Sequence, residues 1–87
     1  MPHENYPAIV RRLKRADGHL QTIIEMIEAD RPCLEIAQQL QAVESAIESA
    51  KKALIHDHIS NCLARPLKSA GSSGRALNEF KLIAKYL

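Results

Sequence analysis

Residues 33–64 read CLEIAQQLQAVESAIESAKKALIHDHISNCLA, a stretch without a single glycine or proline. Within it Ile36, Leu40, Val43, Ile47, Ala50 and Leu54 recur at intervals of four and three, the seam of an amphipathic helix. The spacing predicts one rod of about 30 residues, roughly 45 Å long at 1.5 Å per residue. Upstream, Pro7 suits the opening turn of a helix. Ile9, Leu13, Ala16, Leu20, Ile23 and Ile27 repeat the same seam. Gly18 interrupts that helix at a cost of about 1 kcal/mol relative to alanine. Between the two rods stands Asp30-Arg31-Pro32, with Asp30 expected as an N-cap and Pro32 where an early helical N–H has no partner. Downstream, Pro66 and the run Ser69-Ala70-Gly71-Ser72-Ser73-Gly74 mark a turn. A short closing helix follows, with Leu77, Phe80, Ala84 and Leu87 on one face.

The expectation is therefore an all-α chain, a single domain over 1–87 with helices at about 7–28, 32–64 and 75–87. Neither internal repeats nor strand-like alternation is visible. The middle rod far outreaches its neighbours, which predicts antiparallel pairing with a second copy in a four-helix bundle. Composition points the same way. Hydrophobic residues make up 46% of the chain but aromatics only 3%. The core must then be built from aliphatic side chains, each contributing little at roughly 25 cal/mol per Å². A chain this short is marginal alone, and self-association is the economical remedy.

Net charge is only +2, yet residues 11–15 read Arg-Arg-Leu-Lys-Arg. Arg11, Lys14 and Arg15 lie off the apolar seam, where a charge run is either a solvated face or a phosphate-binding surface. Lys51 and Lys52 add charge from the long helix. Two cysteines are too few for a disulfide scaffold. The N-terminal residues lack the regions of a signal peptide, and no apolar run approaches the ~20 residues that span a bilayer. These features predict a cytoplasmic protein without membrane contact, in which paired cysteines serve metal or redox chemistry. No nucleophile–base pair suggests an enzyme.

His58 and Cys62 stand four apart and share one face of the long helix. At 100° per residue Cys33 falls within about 40° of both, on the seam side. Along a straight helix, however, Cys33 and His58 are roughly 37 Å apart. An antiparallel partner resolves this by setting Cys33 of one subunit beside His58 and Cys62 of the other, giving two identical sites. Two thiolates and an imidazole form a soft three-coordinate set that favours Cu(I); tetrahedral or square-planar ions need a fourth ligand. The same pairing also allows a Cys33–Cys62 disulfide or polysulfide link. The bland alternatives are buried core cysteines and a histidine near a helix end. His56 faces away from His58, and His19 lies off its seam; both are expected to be exposed.

Four stretches carry a resemblance: Arg12–Leu20, Met26–Cys33, Gln39–Ala46 and His56–Cys62. In order and spacing they resemble the CsoR/RcnR family of bacterial repressors over nearly the whole chain. The resemblance implies a homotetrameric dimer of dimers without a helix-turn-helix. Its apo form binds operator DNA through basic surfaces, and its inducer loosens that grip. It implies Cys33, His58 and Cys62 as copper ligands, with Cys33 from the opposite subunit. Arg12 matches a DNA-contact position, and Glu79 resembles an acidic residue that supports the ligand histidine. Cu(I) is the favoured inducer, with Ni(II), Co(II) and Zn(II) as alternatives and no organic cofactor. Nickel and cobalt sensors add an N-terminal nitrogen ligand, a part open to His3. Formaldehyde sensors use an N-terminal proline beside the first cysteine, a pattern that Pro2 and Cys33 share, although Cys62 departs from it. Pro32 stands where copper sensors often carry tyrosine.

Overall fold

The computed structural model describes residues 4–64 and 73–87, with backbone only for residues 62–64, 73 and 76. The chain is all helical, with α1 over Tyr6–Glu28, α2 over Cys33–Ala64 and α3 over Ser73–Ala84. α2 is rich in Ala, Leu, Gln, Glu and Lys, good helix formers that need no compensation for a glycine or proline. α3 begins slightly earlier and ends earlier than the sequence pattern suggests, because its final turn gives way to bonds from Tyr86 to Ile83 and from Leu87 to Ala84.

α1 and α2 form an antiparallel hairpin. Asn5 meets Asp57 at one end, and His19 meets Gln39 further along. The hairpin turn reverses the part expected of Asp30. Rather than capping α2, it ends α1. Asp30 adopts φ 55, its N–H donates to the Ile27 carbonyl, and the Arg31 N–H donates to the Met26 carbonyl. That pair of bonds is a Schellman closure with aspartate in the left-handed position usually given to glycine. Pro32 then opens α2, its carbonyl accepting from the Ile36 N–H at 3.2 Å.

The two helices bury only part of each predicted seam. On α1 every seventh residue, Ile9, Ala16 and Ile23, is buried; on α2 Val43 and Ala50 answer them. The interleaved row, Leu13, Leu20 and Ile27 with Leu40, Ile47 and Leu54, stays open, between 39% exposed at Leu20 and 53% at Ile27. The dimensions agree. The molecule measures 58 × 24 × 14 Å with a radius of gyration of 17.9 Å, against about 12 Å for a compact chain of this length. Fourteen ångströms is little more than one helix thick. The protomer is thus a single layer, whereas a domain core needs two. No helix among the described residues is long and apolar enough to cross a membrane.

Candidate metal centre and basic surface

α1 packs on the side of α2 marked by Val43, Ala50 and Asp57, all buried. Counting 100° per residue from that row places Cys33, Leu40, Ile47, Leu54 and His58 together on a neighbouring strip. Cys62 falls in the same register on the backbone; its thiol lies outside the described side chains. This strip is the one that α1 leaves uncovered. Cys33 is a free, exposed thiol at the first position of α2. An exposed ion pair, Arg31 to Glu35 at 2.6 Å, bridges the turn just beside it.

His58 sits at the opposite end of α2 and is a quarter exposed. Its Nε2 lies 3.0 Å from Glu79 Oε1 on α3. Both line an open groove of about 460 Å³ with Leu54, Ile55, Ile83 and Tyr86. A carboxylate at Nε2 is the kind of contact that orients a metal-binding histidine. Among the described residues no three donors of one chain come together as a metal site. Since α2 is continuous from residue 33 to 64, Cys33 and His58 stay roughly 37 Å apart within it. Cys33 and His58 of one chain therefore cannot share an ion. Pro2 and His3 lie outside the described residues.

The other histidines serve different ends. His56 is exposed on the side of α2 away from His58, as expected. His19 differs from its expectation: it is half-buried, its Nε2 2.5 Å from Gln39 Oε1 across the hairpin. The helical wheel placed it beside the seam, and helix packing brought it within reach of α2.

The six candidate DNA-binding cations divide into two groups. Arg11, Arg12, Lys14 and Arg15 are exposed on α1. Arg11, Lys14 and Arg15 point away from the hairpin interface, and Arg12 borders it. Among the described residues none of the four is paired with a carboxylate. Lys51 and Lys52 instead share Glu48, at 3.6 and 3.8 Å. Lys51 lines the groove beside His58, and Lys52 points away from α1. Within one protomer the concentrated, uncompensated positive charge belongs to α1.

One feature had escaped the sequence pattern. Asp57 is the buried charged side chain of the described structure, 7% exposed. It accepts hydrogen bonds from Asn5 Nδ2 at 3.1 Å and Asn61 Nδ2 at 3.2 Å. A signal for it existed, since residue 57 continues the seven-residue row of Val43 and Ala50.

The described chain is an all-helical hairpin with Cys33 and His58 on an uncovered strip and a basic outer helix. Comparison with known proteins identifies the family. A family profile described as metal-sensitive transcriptional repressor matches residues 5–85, and the chain belongs to that family of repressors, not enzymes. The copper-sensing transcriptional repressor CsoR of Mycobacterium ulcerans (strain Agy99) is 42% identical over 57 residues, covering 66% of this chain and 49% of that protein. The copper-sensing repressor CsoR of Bacillus subtilis (strain 168) is 38% identical over 71 residues, covering 82% of this chain and 69% of that one. The match thus spans about half the length of the mycobacterial CsoR proteins. Among solved structures, the nickel-responsive transcriptional regulator InrS superposes with a TM-score of 0.79 at 29% identity, covering 93% of this chain and 91% of that one.

Proposed function

We propose that this protein represses transcription as an antiparallel homodimer paired into a tetramer, and that Cu(I) releases it from operator DNA by joining Cys33 of one subunit to His58 and Cys62 of its neighbour. The observation carrying this is the register of Cys33 and His58 on the apolar strip that α1 leaves open. A second copy laid antiparallel on that strip buries Leu40, Ile47 and Leu54 and delivers each Cys33 to the far end of its partner. Glu79 holds the imidazole through Nε2 and so turns Nδ1 toward the ion. The cluster Arg11, Arg12, Lys14 and Arg15 contacts phosphates, multiplied by symmetry and weakened by salt; Lys51 and Lys52 contribute less because Glu48 offsets them.

Nickel is the second inducer to weigh, because the structurally similar InrS is nickel-responsive. It would require a fourth donor, with His3 the candidate. An aldehyde acting covalently at Pro2 and Cys33 is the third, distinguished by an adduct that survives denaturation.

The test begins with a duplex selected by the apo protein from a random-sequence pool. Anisotropy titration of that duplex with Cu(I), Ni(II), Co(II), Zn(II) and formaldehyde follows. Cu(I) should weaken binding most, and Cys33→Ala should abolish the response. Moving occupancy from 99:1 to 1:99 requires about 5.5 kcal/mol of preference, shared among the bound ions. By linkage, DNA must weaken metal binding by the same free energy. A Cys33→Ala protein that still releases DNA with Cu(I) would defeat the proposed site, and failure to select any duplex would defeat the repressor.

A further inference from the structure

Asp57 stands where the hairpin's buried row calls for an apolar side chain. Val43 and Ala50, fourteen and seven residues earlier, occupy the equivalent positions. Burying a carboxylate there is unfavourable unless directed hydrogen bonds compensate. Two of those come from Asn5 and Asn61. Asn5 is itself unusual. It occupies the N-cap of α1 and its carbonyl accepts from the Ile9 N–H, yet its side chain makes no capping bond. The amide that would normally serve α1's own first turn reaches instead across to α2.

The positions on α2 interlock with the candidate ligands. Asp57 and Asn61 are four apart, as are His58 and Cys62, and each pair is the other displaced by one residue. The register of the first pair is that of the row facing α1, and the register of the second lies about 100° round the same two turns, on the open strip. A backbone shift that carries His58 and Cys62 toward a shared ion turns or bends those two turns, and Asp57 moves with them. On its other side Asp57 lines a groove of about 290 Å³ with Asn5, Arg12, His56 and Ser60. The basic run begins one and a half turns beyond Asn5.

We propose that the Asn5–Asp57 hydrogen bond is the strap that transmits metal capture on α2 to the basic first turns of α1. Asn5 and Asp57 are thus positioning residues for DNA release, touching neither metal nor DNA. This presupposes the metal-responsive repressor described above. Its failure is nonetheless separable from that one's.

The test compares wild type, Asn5→Ala, and the exchanged pair Asn5→Asp/Asp57→Asn. In the exchanged pair the amide at 57 donates to the carboxylate at 5 and its oxygen still accepts from Asn61. For each protein the duplex affinity is measured with and without Cu(I), together with Cu(I) affinity in the absence of DNA. Amide hydrogen exchange over residues 6–12 is followed in both states. Allosteric couplings commonly fall between about 5- and 150-fold. In wild type Cu(I) should weaken the duplex by a factor in that range and change exchange over 6–12. In Asn5→Ala the weakening should shrink to within about threefold and the exchange response should vanish, while Cu(I) affinity without DNA stays nearly unchanged. The exchanged pair should restore both responses. A full response in Asn5→Ala, or no restoration in the exchanged pair, overturns the strap alone. A wild-type protein whose duplex binding ignores every metal overturns the repressor and the strap together.

Discussion

The hairpin carries two apolar rows of similar chemistry and opposite fate. One, Ile9, Ala16 and Ile23 against Val43 and Ala50, is closed within the chain. The other, Leu13, Leu20 and Ile27 beside Leu40, Ile47 and Leu54, is left open. Small residues occur only in the closed row, alanine at 16 and 50, whereas the open row is uniformly large; a small side chain at a contact lets helices pack more closely. The proposed ligands Cys33 and His58 fall beside the open row and the buried carboxylate on the closed one. Periodicity alone makes an amphipathic helix; the row that is buried within the chain depends on what packs across the hairpin.

The largest effect should come from breaking the open row. Ile47→Glu places a charge at the centre of the proposed pairing surface. We expect a monomer in sedimentation equilibrium, largely unfolded by circular dichroism, because a one-layer hairpin lacks a second face to pack on. Next, Ile23→Ala attacks the closed row at a residue 1% exposed. It should cost about 2–5 kcal/mol in urea denaturation while leaving the oligomeric state intact. If the two substitutions proved interchangeable in both assays, the distinction between rows would fail. Cys33→Ala comes third and sharpens the contrast from the chemical side. Since the thiol is exposed, stability should move by less than about 0.5 kcal/mol even though the Cu(I) response disappears from the anisotropy titration.

Two substitutions far from either row should stabilise slightly. A Cβ built on Gly18 meets nothing within 4 Å, so Gly18→Ala should raise stability by about 1 kcal/mol. Gly18 shares its side of α1 with Arg11 and Lys14, and a simultaneous loss of DNA affinity would show that the duplex approaches the backbone there. Smallest of all, Asp30→Gly relieves a left-handed aspartate at φ 55 and should add about 0.5 kcal/mol to the melting free energy.

Much of this architecture could be read before any coordinates. The long helix announces itself because nothing between Cys33 and Ala64 interrupts it, and the alignment of Cys33 with His58 follows from counting residues. Other features depend on what lies across the hairpin. A seam of four and three does not say which of its rows faces the sister helix, so Leu20 and Ile23 look equivalent in sequence yet differ from 39% to 1% exposed. Asp30 looks like a cap for the helix that follows, and only its φ shows that it closes the one before. Asn5 and Asp57 lie 52 residues apart, and no local pattern pairs an asparagine with a distant aspartate. His19 gains Gln39 in the same way.

A plank 14 Å thick has consequences for how much of this protein a cell must make. On the proposed pairing the open row is covered only by another copy, so attaining a full core and finding a mate become a single bimolecular event. Its melting temperature should then climb with concentration, and scarcity itself would empty the operator before any inducer arrived.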